Sequence, residues 1–177
     1  MDTIRTTQES SPSTPGSSTA AGKHMCFQLG AENYGLPILD VREIIGLMPI
    51  TAVPRAPSFV RGIINLRGKV IPVIDLRLQF GMEESPATDQ TVIIVVQCSV
   101  DGLPLTMGLL VDRVLEVLAI GADQIEPPPS FGVANSAEFL LGVGKAGQRV
   151  VFLLDIARLL SARERAVVQA ASDPAAA

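Results

Sequence analysis

The side chains able to do acid–base, nucleophilic or metal chemistry are few in this 177-residue chain, and they are badly spaced for it. The single histidine, His24, borders a Ser/Thr/Pro-rich stretch that offers nothing to hold an imidazole in a working geometry. Cys26 and Cys98 lie in separate apolar runs and read as structural thiols of a reducing compartment, and no Cys/His cluster has zinc spacing. Gly142-Val-Gly-Lys-Ala-Gly147 matches the dinucleotide pattern G-x-G-x-x-G letter for letter. That pattern works where its glycines lead into a helix, whereas Gln148–Leu154 is β-branched and apolar and predicts a strand. Asp75 and Asp155 sit at matching places in an internal repeat, which suggests a shared capping task more than a catalytic pair. No catalytic residue, cofactor or metal is expected.

The arginines are different. Arg55, Arg61, Arg67, Lys69 and Arg77 fall within 23 residues that hold one acid, Asp75. They decorate V60-R-G-I-I-N-L-R-G-K-V-I-P-V-I-D-L-R77, which the chain writes again, 80 residues on, as L140-L-G-V-G-K-A-G-Q-R-V-V-F-L-L-D-I-A157. Phe59/Phe139, Gly62/Gly142, Val70/Val150 and Asp75/Asp155 are identical between the copies, but Leu141, Gly147 and Ala157 replace Arg61, Arg67 and Arg77. A solvated strand face would account for some of these charges. A hairpin turn needs no arginine, however, and Arg67 at the tip is the type of residue that anchors interfaces.

The elements that carry these residues are short. Met25–Gly30 and Tyr34–Ile38 read as strands around a turn, Leu39–Ile45 as a short helix, and Phe59–Ile64 and Lys69–Ile74 as a hairpin. The polar, proline-bearing stretch Gly81–Gln90 marks a boundary. Thr91–Gln97 then reads as a strand buried on both faces, and Asp101-Gly102 turns into Leu105–Val111. Val41, Glu43 and Ile44 are echoed by Val114, Glu116 and Val117 at an offset of 73, a frame that also pairs Gly35 with Gly108. A rival frame aligns Gly35-Leu36-Pro37 with Gly102-Leu103-Pro104. Two copies of a five-stranded unit favour small closed barrels over open sheets with exposed edges. Asp155 would cap a final helix with Ile156, Leu159, Leu160 and Val167 on one face.

Composition narrows the function. Apolar residues make up 47% and charged residues 18%, with net charge −4, so a filled core is available and no general attraction to nucleic acid is expected. With no Trp, one Tyr and 4% aromatics, the chain also lacks a base-stacking platform. Residues 1–24 read as a disordered tail with no apolar signal run behind Arg5, and the longest apolar runs, such as Val92–Val96, are too short to span a bilayer. A soluble, cytoplasmic protein is expected.

At the level of whole blocks the chain resembles the CheW family of bacterial chemotaxis coupling proteins. "FVRGIINLRGKVIPVIDLR" is the most specific element, accompanied in the family's order by "LPILDVREI", "MGLLVDRVLEV", "DQIEPPPSFG" and "FLLGVGKAGQRVVFLLDIARLL". The resemblance implies a mainly β fold of two SH3-like five-stranded barrels with a C-terminal helix. The domain would cover 25–167, with barrels mainly at 36–88 and 89–154, room for segments of one to complete the other, a helix over 155–169 and a tail over 170–177. It also implies a non-catalytic adaptor between the cytoplasmic tips of methyl-accepting chemoreceptors and the regulatory domain of a CheA-type histidine kinase, recruited to membrane arrays through these partners. Family positions place receptor contacts at Arg67, Glu43, Val70 and Val117, and kinase contacts at Val41, Gly62 and Phe131. Glu126 departs from the basic residue some members carry. The alternatives are an adaptor for a pilus or second-messenger system, a module of a larger kinase or receiver protein, and a small β-barrel enzyme or nucleic-acid binder. A receiver domain would need far more than the 12 residues after Arg165.

Overall fold

The computed structural model describes residues 21–100, 102–127, 139–160, 164 and 168. Its strands are β1 (Gly22–Leu29), β2 (Glu32–Pro37), β3 (Val41–Gly46), β4 (Val60–Leu66), β5 (Lys69–Asp75), β6 (Val92–Val100), β7 (Leu103–Val111), β8 (Arg113–Ile120), β9 (Ile125–Glu126), β10 (Leu140–Ala146) and β11 (Arg149–Leu154). One helical turn follows each copy of the repeated hairpin: α1 (Leu76–Gln79) and α2 (Ile156–Leu159). Strands β3-β6-β7-β5-β4 form the first barrel's sheet and β8-β1-β2-β11-β10-β9 the second's, so the fold is mainly β and built from two SH3-like barrels. The two-residue β9 has its counterpart in the first sheet as an isolated Thr51–Ile63 bridge.

The division near residue 88 separates the repeats, not the sheets. The hairpin that opens each repeat joins the other repeat's barrel: β6–β7 lies beside β5, and β1–β2 lies beside β11. Both junctions are parallel pairings in one register, Val73 opposite Gly108 and Leu153 opposite Gly35. This decides for the 73-residue offset over its rival.

Leu39–Ile45 is not a helix. Only Ile38–Asp40 winds, as a 3-10 turn, and Val41–Gly46 is a strand whose residues alternate between half-buried and exposed. The β-branched Val41, Ile44 and Ile45 suit that pleat, and pairing with β6 completes the sheet. The dinucleotide-like glycines lie in β10 and the turn after it, and a strand follows them.

β6 is buried on both faces as its composition predicts. Ile93 and Val95 point into the first barrel with Ile64, Ile71 and Val73, while Ile94 and Val96 join a core shared by the two sheets. That shared core takes Phe27, Leu29 and Leu36 from one sheet and Ile74, Met107 and Leu109 from the other. Cys26, Ile120, Val151 and Leu153 fill the second barrel. Ile156, Leu159, Leu160 and Val168 of the C-terminal segment close the shared core; Val167, expected there, lies outside the described residues. Phe27, Tyr34 and Phe80 stack in sequence, and Phe80 stacks on Phe139 at 4.9 Å, so these rings pack on one another.

The folded region begins before the expected residue 25. Gly22, Lys23 and His24 pair with β8, and His24 is buried at 1% exposure. Its Nδ1 lies 3.1 Å from the Gly22 carbonyl, while its buried Nε2 has no hydrogen-bond partner. Burial lowers the imidazole's pKa below 6.5, only partly offset by the Gly22 contact. The folded state therefore resists protonation, so stability is full above about pH 6.5 and falls as pH drops from there towards the lowered value. We expect Tm to decline between pH 7 and pH 5, and His24→Leu to flatten that decline. An unchanged slope in the variant would assign the titration to another group.

Candidate partner-binding surfaces

The β4–β5 hairpin closes through Arg67 and Gly68, with φ of 52° and 85°, and the Gly68 N–H donates to Asn65 Oδ1 at 2.9 Å. Two positive φ values suit the twist of a tight hairpin, but an L-residue there costs about 1–2 kcal/mol. In the sister hairpin the same place is held by Gly147 at φ 63°. Arg67 therefore occupies a site where glycine is the unstrained choice, with a side chain 73% exposed. Its guanidinium reaches across the barrel mouth to Glu43 on β3. The pair borders a depression of about 280 Å³ lined by Lys69, Ile71, Val95 and Thr106 among others.

Of the expected receptor-binding residues, Arg67 and Glu43 thus meet in an ion pair, and half-buried Val70 lies on the same hairpin. Val117 lies on β8 of the other sheet, 49% exposed. Around it the repeat has kept a charge pair by another route: Glu116, the counterpart of Glu43, accepts from Arg149 at 2.8 Å. Of the kinase-binding expectations, Val41 packs half-buried against the shared core. Gly62 is buried at φ 144° in a bulge, where an added Cβ would lie 2.1 Å from the Thr51 carbonyl oxygen. The geometry gives Gly62 a backbone requirement and no side chain to offer. Phe131 lies outside the described residues.

The cluster of basic residues is largely neutralised by acids distant in sequence. Arg61 donates to Asp75 at 3.0 Å and pairs with Glu84 at 2.7 Å. Arg77 Nε donates to Asp112 Oδ1 at 2.7 Å, and the Gly30 N–H donates to Asp112 Oδ2 at 2.8 Å. Burial alone would raise the Asp112 pKa, but the Arg77 and Gly30 bonds outweigh it and hold the carboxyl below its ordinary value. Glu126 pairs with Lys145. Arg67, Lys69 and Arg55 are the cluster's exposed cations, and Arg67 is paired with Glu43. The surface is a patch of contacts, not a basic field.

Asp75 and Asp155 share the capping task the repeat implied. Each accepts from the N–H two residues on, Arg77 or Ala157, at 3.0 Å, and each donates its own N–H to the matching Phe59 or Phe139 carbonyl at 2.8 Å. Asp75 also holds Arg61 and is buried at 3%. Asp155→Ala should cost about 1 kcal/mol, as loss of a cap does, and Asp75→Ala about 2 kcal/mol because it also removes the buried partner of Arg61, leaving Glu84 alone. Denaturant titration of the two variants measures the difference, and equal losses would contradict it. Cys26 is a buried thiol, raised to about 11 by burial and then by the Glu116 charge; Cys98 is half-buried.

Two repeated barrels with exchanged hairpins, surface ion pairs and an exposed, strained arginine define a small β scaffold whose distinguishing residues face outward. Residues 23–164 match the family model of the CheW-like domain. The chain is 39% identical over 150 residues to the chemotaxis protein CheW of Klebsiella aerogenes, covering 85% of this chain and 88% of that one. It is 37% identical over 147 residues to protein FrzA of Myxococcus xanthus, covering 81% and 89%. The crystal structure of scaffolding protein TtCheW from Thermoanaerobacter tengcongensis superposes with a TM-score of 0.71 at 37% identity, covering 81% of this chain and 95% of that one. The chain belongs to the CheW-like domain family, and its relatives assign it to chemotaxis-type signalling as a coupling scaffold.

Proposed function

We propose that this protein is a non-catalytic cytoplasmic adaptor that joins the tips of methyl-accepting chemoreceptors to the regulatory domain of a CheA-type histidine kinase. The observation that carries this reading is Arg67, an exposed arginine kept at a left-handed turn position where the sister hairpin uses glycine. Strain held at an exposed residue calls for a role outside folding. The Arg67–Glu43 mouth with Val70, and Val117 on the second barrel, is the receptor-facing set. The Val41 and Gly62 region, with Phe131, is the kinase-facing set, Gly62 acting through the backbone it shapes. Each contact is modest alone, and the lattice of partners supplies avidity.

The test is titration of the purified chain against each partner separately, by calorimetry. A complex near the micromolar range is expected with each, about −8 kcal/mol. A folded sample that binds neither would contradict the reading.

A further inference from the structure

The chain passes between its two sheets at two matching places, and the two are built differently. Asp112 alone separates β7 in the first barrel from β8 in the second. Its carboxylate takes Arg77 from α1 and the Gly30 N–H from the β1–β2 turn, and its own N–H donates to the Gln28 carbonyl at 3.2 Å. This crossover is tied to both barrels at once. The other, between β2 and β3, is the 3-10 turn Ile38–Asp40. There Ala157 stands in the repeat where Arg77 stands in the first copy, so the matching guanidinium is missing. Instead Asp40 feels the Asp155 carboxylate: burial and then that like charge raise its pKa, and Arg42 offsets only part of the rise. Leu39, in the middle of the turn, is 86% exposed.

We propose that the two barrels are hinged on one side: Arg77, Asp112 and Gly30 form a fixed pivot at the β7–β8 crossover, and the β2–β3 crossover at Ile38–Asp40 is the compliant side. The shared core keeps the sheets in contact, so the motion is a small tilt of one barrel against the other. Arg77 is then a positioning residue, setting the angle between surfaces that lie on different barrels.

Nitroxide labels at Lys69→Cys and Gln148→Cys, on a Cys98→Ser background, report the distance between the two hairpin tips by pulsed electron resonance. Buried Cys26, with its raised thiol, stays outside the labelling. One narrow distribution is expected in the parent, and one about twofold broader in Arg77→Met and in the gentler Asp112→Asn. Arg61→Met, which breaks an ion pair within the first barrel, should leave the width unchanged, and Ala157→Arg should narrow it. Unchanged widths in both pivot variants would overturn the proposal. So would equal broadening in Arg61→Met, or no narrowing in Ala157→Arg.

A functional arm rests on the adaptor reading. Arg77→Met should bind each partner within about threefold of wild type, while the factor by which one partner alters affinity for the other falls towards one. Broadening in the pivot variants with a folded wild type that binds neither partner would leave the hinge standing and remove the adaptor reading alone.

Discussion

Arg67→Glu is expected to weaken binding to a chemoreceptor tip by about 10- to 100-fold, roughly 1–3 kcal/mol, while leaving kinase binding within a few-fold of wild type. The residue is exposed and its partner Glu43 lies at the barrel rim, so the exposed ion pair adds at most about 1 kcal/mol to folding. Charge reversal sets two carboxylates against each other and replaces the guanidinium donor with an acceptor. A second variant separates function from folding. Arg67→Gly installs the residue the sister hairpin uses, so it should relax the positive φ and raise stability by up to about 1 kcal/mol. It should still lose receptor binding. A variant more stable than wild type that binds as tightly would show that the arginine is not the contact.

The second large effect is Gly62→Ala. The new Cβ would lie 2.1 Å from the Thr51 carbonyl oxygen and 2.7 Å from its carbon, at a φ that L-residues rarely adopt. The obstacle is backbone, held by paired bonds of 2.9 and 2.8 Å between Thr51 and Ile63, and cannot turn aside as a side chain would. We expect a loss of about 3 kcal/mol, or roughly 6–12 °C in Tm for a chain of this size, with the Thr51 and Ile63 amides losing hydrogen-exchange protection first. Any fall in kinase binding should track that local opening. A variant with normal melting but no kinase binding would instead make Gly62 a direct contact.

Much of this was legible in the sequence because a duplication supplies its own alignment. The identities from Phe59 to Asp75 and from Phe139 to Asp155 mark the hairpins and the paired caps, and they pair Gly62 with Gly142 without showing that each sits at a bulge. The resemblance leaves room for an exchange but not for which hairpins make it, since alternation along β6 shows that both faces are buried without showing which strands cover them. The short apolar run Leu39–Ile45 fits a helix or a strand equally, and only its partner β6 decides. The basic cluster misled for a related reason: Glu84, Asp112 and Glu43 neutralise it from beyond the window in which charge was counted. Arg67 stands out by its place at the hairpin tip and Glu43 only by family resemblance, and their ion pair depends on β3 being a strand. His24 hid because its burial comes from pairing with β8, almost a hundred residues away.

Bridging is the central claim, and it is tested most directly by co-sedimentation of the kinase regulatory domain with receptor tips displayed on vesicles. We expect the kinase domain to sediment only when this chain is added, to saturate with it, and to be lost with Arg67→Glu although the variant still binds the kinase domain in solution. Kinase-domain sedimentation that is indifferent to the chain, or unaffected by Arg67→Glu, would contradict it.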